Sequence, residues 1–290
     1  MTRILLVGKK GQIGWELFQS LQHIAVVVAT ERSELDVTSR QDVFRVLEAV
    51  KPDIVINATG YNNVDEAEAN KDAAIAVNVT ANEFLATAAC QIKAFYLTYS
   101  TDYVFDGHKS SPYIEDDQTY PLNVYGQTKL NGETVIANSG VNYIILRTSS
   151  VYSLHRPCFL TSFLKKTDQE TRIQVRSDLV SSPTSAKYLA EMTTQIISMG
   201  GDKRYDWLSD RKGIYHLAGN GIVSRYEWAQ EIRDTLKLNV EILPATHSDY
   251  FAGAKRPMYS ALDSSKFYDT FRLQSVSWEK MLKLILDNLL

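Results

Sequence analysis

The sequence predicts an α/β fold, a doubly wound parallel (Rossmann) sheet with a smaller carboxy-terminal α/β portion. Three observations carry that expectation. Short β-branched apolar runs alternate with helical stretches through the first half of the chain. A glycine-rich turn follows the first run, and the alternation loosens after about residue 150. A chain of 290 residues with 44% apolar side chains can bury the core of one large domain or two modest ones.

The elements follow in order. Ile4–Val7, Ala25–Ala29, Ile54–Asn57, Ala94–Tyr99 and Tyr143–Arg147 are continuously apolar, as parallel strands covered on both faces must be. Between them Gln12–Gln22, Arg40–Val50, Asp72–Gln91 and Leu122–Ala137 are each long enough for three or more helical turns. Thr38 and Ser39 can cap the second helix, and Lys51-Pro52 ends it. In the second half Ile173–Val175, Gly213–Ala218 and Val240–Leu243 are strand-like. Ala186–Ser198, Tyr226–Leu236 and Trp278–Leu290 have helical periodicity. Strand–helix alternation of this kind implies right-handed crossovers.

Composition narrows the function. The 31 basic and 34 acidic side chains nearly cancel, so no field favours nucleic acid or an anionic membrane as partner. Cys90 and Cys158 are too few for a disulfide framework and lack zinc spacing, and no metal site is expected. The amino terminus runs directly into a strand without a cleavage signal, and no apolar run suggests a membrane span. A cytoplasmic protein is expected. The histidines, His23, His108, His155, His216 and His247, are scattered and offer no catalytic cluster.

The first strand leads into Gly8-Lys-Lys-Gly11-Gln12-Ile13-Gly14, a GxxGxxG turn that opens a helix. Gly8 and Gly11 let the backbone approach a pyrophosphate, which rests on the helix amino terminus beside Gln12 and Ile13. Gly14 allows the helix to pack closely on the strand. A dinucleotide-binding domain over 1–150 and a substrate-binding portion over 151–290, interleaved at their boundary, follow from that placement. At the tip of the second strand Arg32 and Ser33 suit a 2′-phosphate, whereas Glu31 suits a free 2′-hydroxyl. NADPH is therefore expected, with NADH possible. Asp36 and Val37 can frame the adenine, and the small residues Ala58, Thr59 and Gly60 leave room beside the third strand.

The chemistry is expected from Tyr125 and Lys129, four residues apart on one helical face. A free phenol titrates near pH 10, and a neighbouring ammonium favours its ionised form. Lys129 can also hold the nicotinamide ribose. Thr101 closes the fourth strand 24 positions before Tyr125, at the end of the sheet where ligands bind. Its hydroxyl can donate to a carbonyl oxygen as charge develops there.

These residues lie in motifs that resemble the dTDP-4-dehydrorhamnose reductase family of extended short-chain dehydrogenase/reductases, over essentially the whole chain. The motifs are Gly11-Gln-Ile-Gly-Trp-Glu-Leu17, Ser100-Thr-Asp-Tyr-Val-Phe-Asp-Gly107, Pro121-Leu-Asn-Val-Tyr-Gly-Gln-Thr-Lys-Leu-Asn-Gly-Glu133, Leu146-Arg-Thr-Ser149 and Arg256-Pro-Met-Tyr-Ser-Ala-Leu-Asp263. The resemblance implies hydride transfer from NAD(P)H to C4 of dTDP-4-dehydro-L-rhamnose. Tyr125 would be the proton donor, Lys129 its tuner and Thr101 the group that polarises the carbonyl. The partner implied is thus a nucleotide-diphosphate 4-keto-6-deoxy sugar, contacted also by Asp102, Ser150 and Arg256. The fork of Arg256 suits a diphosphate, although a structural ion pair would account for it equally. Related dehydratases carry Asp-Glu after the Thr; Asp102-Tyr103 here lacks the second carboxylate and favours simple reduction.

Three departures from the family fall away from the cofactor. Ser150 stands where a Trp usually follows Arg-Thr-Ser, a loss of about 1–2 kcal/mol of stacking and burial. Ser177–Thr184 replaces an Asp-Asp-Gln-x-Gly-x-Pro-Thr run. Lys187 replaces a Glu that, with a residue matching Glu16, binds Mg²⁺ in dimeric members, so a monomer or a homodimer of other construction is expected. Two other readings remain: a reductase of another 4-keto-6-deoxyhexose nucleotide, or a non-catalytic NADP-binding subunit that resembles the regulatory partner of methionine adenosyltransferase.

Overall fold

A computed structural model describes residues 1–246 and 253–289; His247 and Leu290 lie outside them. Its centre is a six-stranded, all-parallel sheet made of β1 (Arg3–Val7), β2 (Val26–Thr30), β3 (Ile54–Asn57), β4 (Phe95–Thr101), β5 (Tyr143–Thr148) and β10 (Gly213–His216). The spatial order is β10-β5-β4-β3-β1-β2. The winding order of the strands reverses between β1 and β3, which opens a crevice at their carboxyl ends. Alternate residues feed two cores. Ile4 and Leu6 face α1 (Gln12–Leu21) and α8 (Ala186–Met199). Leu5 and Val7 face α2 (Arg40–Val50), α5 (Ala81–Gln91) and α6 (Val124–Asn138). Burial on both faces is why these strands read as unbroken apolar runs.

Local chemistry sets the helix ends. Ser39 accepts from the Asp42 amide to start α2, and Lys51, left-handed at φ 46°, ends it ahead of Pro52. The stretch expected as one helix from Asp72 is α4 (Lys71–Ile75), a π-helical turn over Ala76–Thr80, then α5. The π-turn turns Asn78 inward, where its side chain is buried and hydrogen bonded. The continuous run Lys71–Gln91 is the one helix among the described residues that is long and apolar enough to cross a membrane. Its Ala81, Leu85, Ala86, Ala88 and Ala89 sit in the second core, which identifies it as an interior helix.

The carboxy-terminal portion has its own core. A parallel pair, β7 (Arg172–Arg176) and β12 (Glu241–Ala245), packs with α7 (Phe159–Thr167), α10 (Arg225–Leu236) and α12 (Trp278–Leu286) around Tyr152, Phe163 and Trp228. Two short pairs, β6 (Val151–Tyr152) with β9 (Thr184–Ser185) and β8 (Val180–Ser181) with β11 (Val223–Ser224), accompany it, and this portion also returns β10 and α8 to the central sheet. Four short helices were not expected from periodicity: α3 (Val64–Ala69), α7, α9 (Arg204–Ser209) and α11 (Ser265–Phe271). Three of them are seven residues or fewer, too short to display a period.

Candidate active site

The glycine turn is shaped for a pyrophosphate. Gly8 has φ 91°, and a Cβ there would come within 2.8 Å of Thr59 Cγ2 and 3.1 Å of the Ala58 carbonyl carbon. A Cβ on Gly14 would fall 2.0 Å from the Gly8 carbonyl oxygen, so only glycine lets α1 begin beneath the turn. Gly11 is the N-cap of α1 and no side chain caps that end, which leaves the first-turn amides of Gln12 and Ile13 to an anion. The cradle fits a dinucleotide. Asn57 fixes its far wall, because its Oδ1 accepts from the Thr59 amide at 3.0 Å and the Thr59 hydroxyl at 2.6 Å. Ser153 reaches over from the second half and donates to Gln12 Oε1 at 3.1 Å.

At the tip of β2 the charges are already paired. Lys10 forms an ion pair with Glu31, Ser33 donates to Glu31 at 2.9 Å, and Lys9 pairs with Glu34 at 3.0 Å. These partners hold the Glu31 carboxyl below its usual range. Arg32 is exposed and faces Asp36 across the turn. Asp36 accepts from the Thr38 amide and hydroxyl, which lowers its pKa, and Val37 is buried beside it.

Tyr125 enters on the first turn of α6, and two glycines bring that helix close. A Cβ on Gly126 would lie 2.2 Å from the Tyr103 carbonyl oxygen, and one on Gly132 would lie 2.3 Å from that of Asn78. Asn123 caps α6 by accepting from the Gly126 amide at 2.7 Å. Asn78 fastens its middle with a 3.0 Å bond to the Thr128 hydroxyl. The Tyr125 phenol thereby sits beside Thr101, at the carboxyl end of β4, with its ring edge-on to Tyr103 at 5.7 Å. Burial raises its pKa, the Thr101 hydroxyl opposes that rise, and Asp102 and Tyr103 add to it. The phenol is held protonated.

Lys129 behaves differently from the sequence expectation. Its Nζ donates to the Tyr99 carbonyl at 2.7 Å. Burial lowers its pKa to about 8 while Glu133 pulls it up. The amine is therefore anchored to the strand beneath the site.

Asp102 lies inward. Its carboxylate accepts from Thr101 at 3.1 Å, Ser149 at 2.8 Å and Ser260 at 2.5 Å, and burial raises its pKa above the ordinary value. The side chain ties β4, β5 and the Arg256–Asp263 segment together. Thr101 donates to Asp102 and accepts from the Tyr103 amide at 3.2 Å.

Arg256 donates to Asp65 at 2.7 Å and faces the Tyr103 phenol. It also lines a cavity of about 460 Å³ with Arg176, Arg225 and the apolar side chains Phe159, Phe163 and Val175. Of the two expectations for Arg256, the structural ion pair is formed, with Asp65 as its partner. Ser150 takes a left-handed φ of 44°, and its hydroxyl lies 2.8 Å from that of Ser181. Gly107, at φ 80°, admits Pro257: a Cβ there would lie 2.7 Å from its Cα. Sequence reasoning did not single out Asn78, Glu133, Arg147, Ser149, Ser260 or Asp65. Each is a buried or paired polar residue whose partner lies far along the chain, and the polar residue inside an apolar stretch (Arg147 in β5, Asn78 in its helix) was the available signal.

Comparison with known proteins agrees with this geometry. The family profile of the RmlD substrate binding domain matches residues 1–290. A dTDP-4-dehydrorhamnose reductase of Burkholderia thailandensis is 34% identical, with 99% of each chain covered. A solved dTDP-4-dehydrorhamnose reductase of Clostridium acetobutylicum superimposes with a TM-score of 0.93 at 31% identity, covering 99% of both chains. The Bacillus anthracis dTDP-4-dehydrorhamnose reductase, solved in complex with NADP, gives a TM-score of 0.93 at 28% identity, covering 99% of this chain and 100% of that one.

Proposed function

Since the chain belongs to the dTDP-4-dehydrorhamnose reductase family, we propose that this NAD(P)H-dependent oxidoreductase reduces C4 of dTDP-4-dehydro-L-rhamnose. The observation that carries the reading is the Tyr125 phenol beside Thr101 at the carboxyl end of β4, where a doubly wound sheet opens its ligand crevice. Reduction of a ketone needs an acid at that point, and an un-ionised phenol is the form that can give a proton.

Gly8, Gly11, Gln12 and Ile13 hold the pyrophosphate. Asp36, Val37, Ala58, Thr59 and Gly60 border the adenosine half, with Arg32 at its 2′ corner. A nicotinamide held there would supply the hydride. Tyr125 donates its proton to the oxygen that becomes the new hydroxyl. Thr101 turns its hydroxyl from Asp102 toward the same oxygen, and Asp102 restores it afterwards. Lys129, anchored on Tyr99, supplies positive charge beneath the reacting edge and a donor for the ribose. Arg256, with Arg225 and Arg176, offers charge to the diphosphate, and Phe159 and Phe163 offer apolar faces to the base.

Ser150 favours one refinement. Its hydroxyl pair with Ser181 puts a small polar ledge at the sugar end, so another 4-keto-6-deoxyhexose nucleotide is a second candidate substrate. The test is NADPH oxidation with a panel of freshly prepared 4-keto sugar nucleotides. Turnover of dTDP-4-dehydro-L-rhamnose above the others supports the reading. Turnover of a different member alone shifts it to the second substrate, and no turnover of any member overturns it.

A further inference from the structure

Beneath Lys129 lies a buried ion pair that the reaction just described does not use. Glu133 is one turn beyond Lys129 on α6, as Lys129 is one turn beyond Tyr125, so the three side chains share a face. Arg147, at the equivalent depth on β5, grips Glu133 through Nε, at 3.0 and 3.2 Å to its two oxygens, and through Nη2 at 2.7 Å. Both side chains are only 4% exposed. An Arg–Glu pair removed from water this completely brings little net stability compared with apolar residues of the same size, which makes a role in the neighbouring site the better account of it.

Resting on the function proposed above, we propose that Glu133, clamped by Arg147, is a positioning residue that keeps Lys129 in its ammonium form during turnover. Burial alone drives an amine toward its neutral form, and Glu133 is the charge on the same face that opposes it. Arg147 holds the carboxylate in place and cancels most of its charge, so that the ammonium is favoured without being locked.

The other groups packed around Lys129 do not substitute for Glu133. On the side of β4 it meets the Tyr99 carbonyl, and the turn after β4 brings Asp102 and Tyr103 against Tyr125. From β5 come Arg147 and Tyr143, the latter facing Glu133. His216 on β10, paired in register with Arg147, is kept neutral by burial and by that guanidinium. Glu68 of α3 binds the Val124 amide at the far start of α6. The π-turn offers Asn78, which is uncharged.

The test is the pH dependence of turnover in wild type, Glu133→Gln, Arg147→Met and the double variant. Glu133→Gln leaves a lone guanidinium near the amine, so the alkaline limb moves down by about one pH unit. Arg147→Met leaves a lone carboxylate, so the limb moves up by a similar amount. The double variant, with the opposing carboxylate and the guanidinium both gone, keeps its limb below wild type and above that of Glu133→Gln. Damage to packing alone would lower rates without shifting the limbs in opposite directions. Limbs that coincide with wild type, or both move the same way, overturn the proposal. Should a single variant fail to fold, ¹³C-lysine NMR of wild type and Glu133→Asp replaces it: the Lys129 midpoint falls when the carboxylate is drawn back, and an unchanged midpoint overturns the proposal. That titration needs no substrate, so it separates failure of this proposal from failure of the assigned reaction.

Discussion

The two halves of the site are made of different material. The cofactor cradle is backbone: a turn in which Gly8 and Gly14 leave no room for a Cβ, uncapped amides at the start of α1, and small residues after β3. All of it comes from two strand ends and the helix that follows one of them. The reacting edge and the cavity beside it are side chains drawn from β4, α6, β5 and the Arg256–Asp263 segment, with Asp65 contributed by α3. A backbone site tolerates change nearly everywhere except at its glycines. A side-chain site depends on every hydroxyl and carboxylate that orients its neighbours.

Four experiments sharpen or break that contrast. The largest effect is expected from Tyr125→Phe, which removes the proton donor and leaves the cradle intact. Turnover should fall about 10²–10⁴-fold with NADPH affinity, read by fluorescence titration, nearly unchanged. Retained turnover would move the acid to another residue.

Gly14→Ala forces a methyl against the Gly8 carbonyl and should lower NADPH affinity roughly 10–100-fold, an overpacking cost of about 1–3 kcal/mol. Calorimetric titration checks it, and unaltered affinity would mean that the turn is not the pyrophosphate site.

His216 supplies the third. Burial and Arg147 lower its pKa to about 3 from the ordinary 6.5. The unfolded chain therefore binds a proton that the folded one refuses. Its contribution to stability is complete above pH 6.5 and is lost as the pH falls toward 3, at up to about 1.4 kcal/mol per pH unit. Urea denaturation of wild type and His216→Gln between pH 7 and 4 should show the variant losing less stability on acidification; parallel slopes would refute it.

The smallest effect is at the 2′ corner. Glu31→Gln removes the carboxylate that occupies Lys10 and should raise the preference for NADPH over NADH about two- to fivefold, seen as the ratio of the two Kd values. A shift toward NADH would reverse the assignment of that corner.

The same contrast explains what could be read from the residues in order. The strands β1 to β5 and the glycine turn were legible because each rests on local spacing: a run of apolar residues, a glycine triplet. The direction of Lys129 was not legible. Its spacing from Tyr125 suggested direct tuning of the phenol, yet the carbonyl of Tyr99 captures the amine, and that carbonyl is supplied by a strand 30 residues away. Asp102 is expected to contact substrate, but the neighbouring Thr101 hydroxyl and two from distant segments, Ser149 and Ser260, take up its carboxylate. The π-turn at Asn78 hid inside a helix of ordinary composition, because only the approach of Gly132 and the Thr128 hydroxyl reveal why the helix widens there.

By itself the sequence determined the order of strands and helices, the place of the glycine turn and the chemical types available at the site. These follow from sterics and hydrophobic periodicity, which act over a few residues at a time. Only the tertiary structure decided which of those groups meet. Ser149 and Ser260 at Asp102, Arg147 at Glu133 and Asp65 at Arg256 lie 14 to 191 positions from their partners, and desolvation, which raises Tyr125 and Asp102 and lowers Lys129 and His216, exists only once the chain has closed around them.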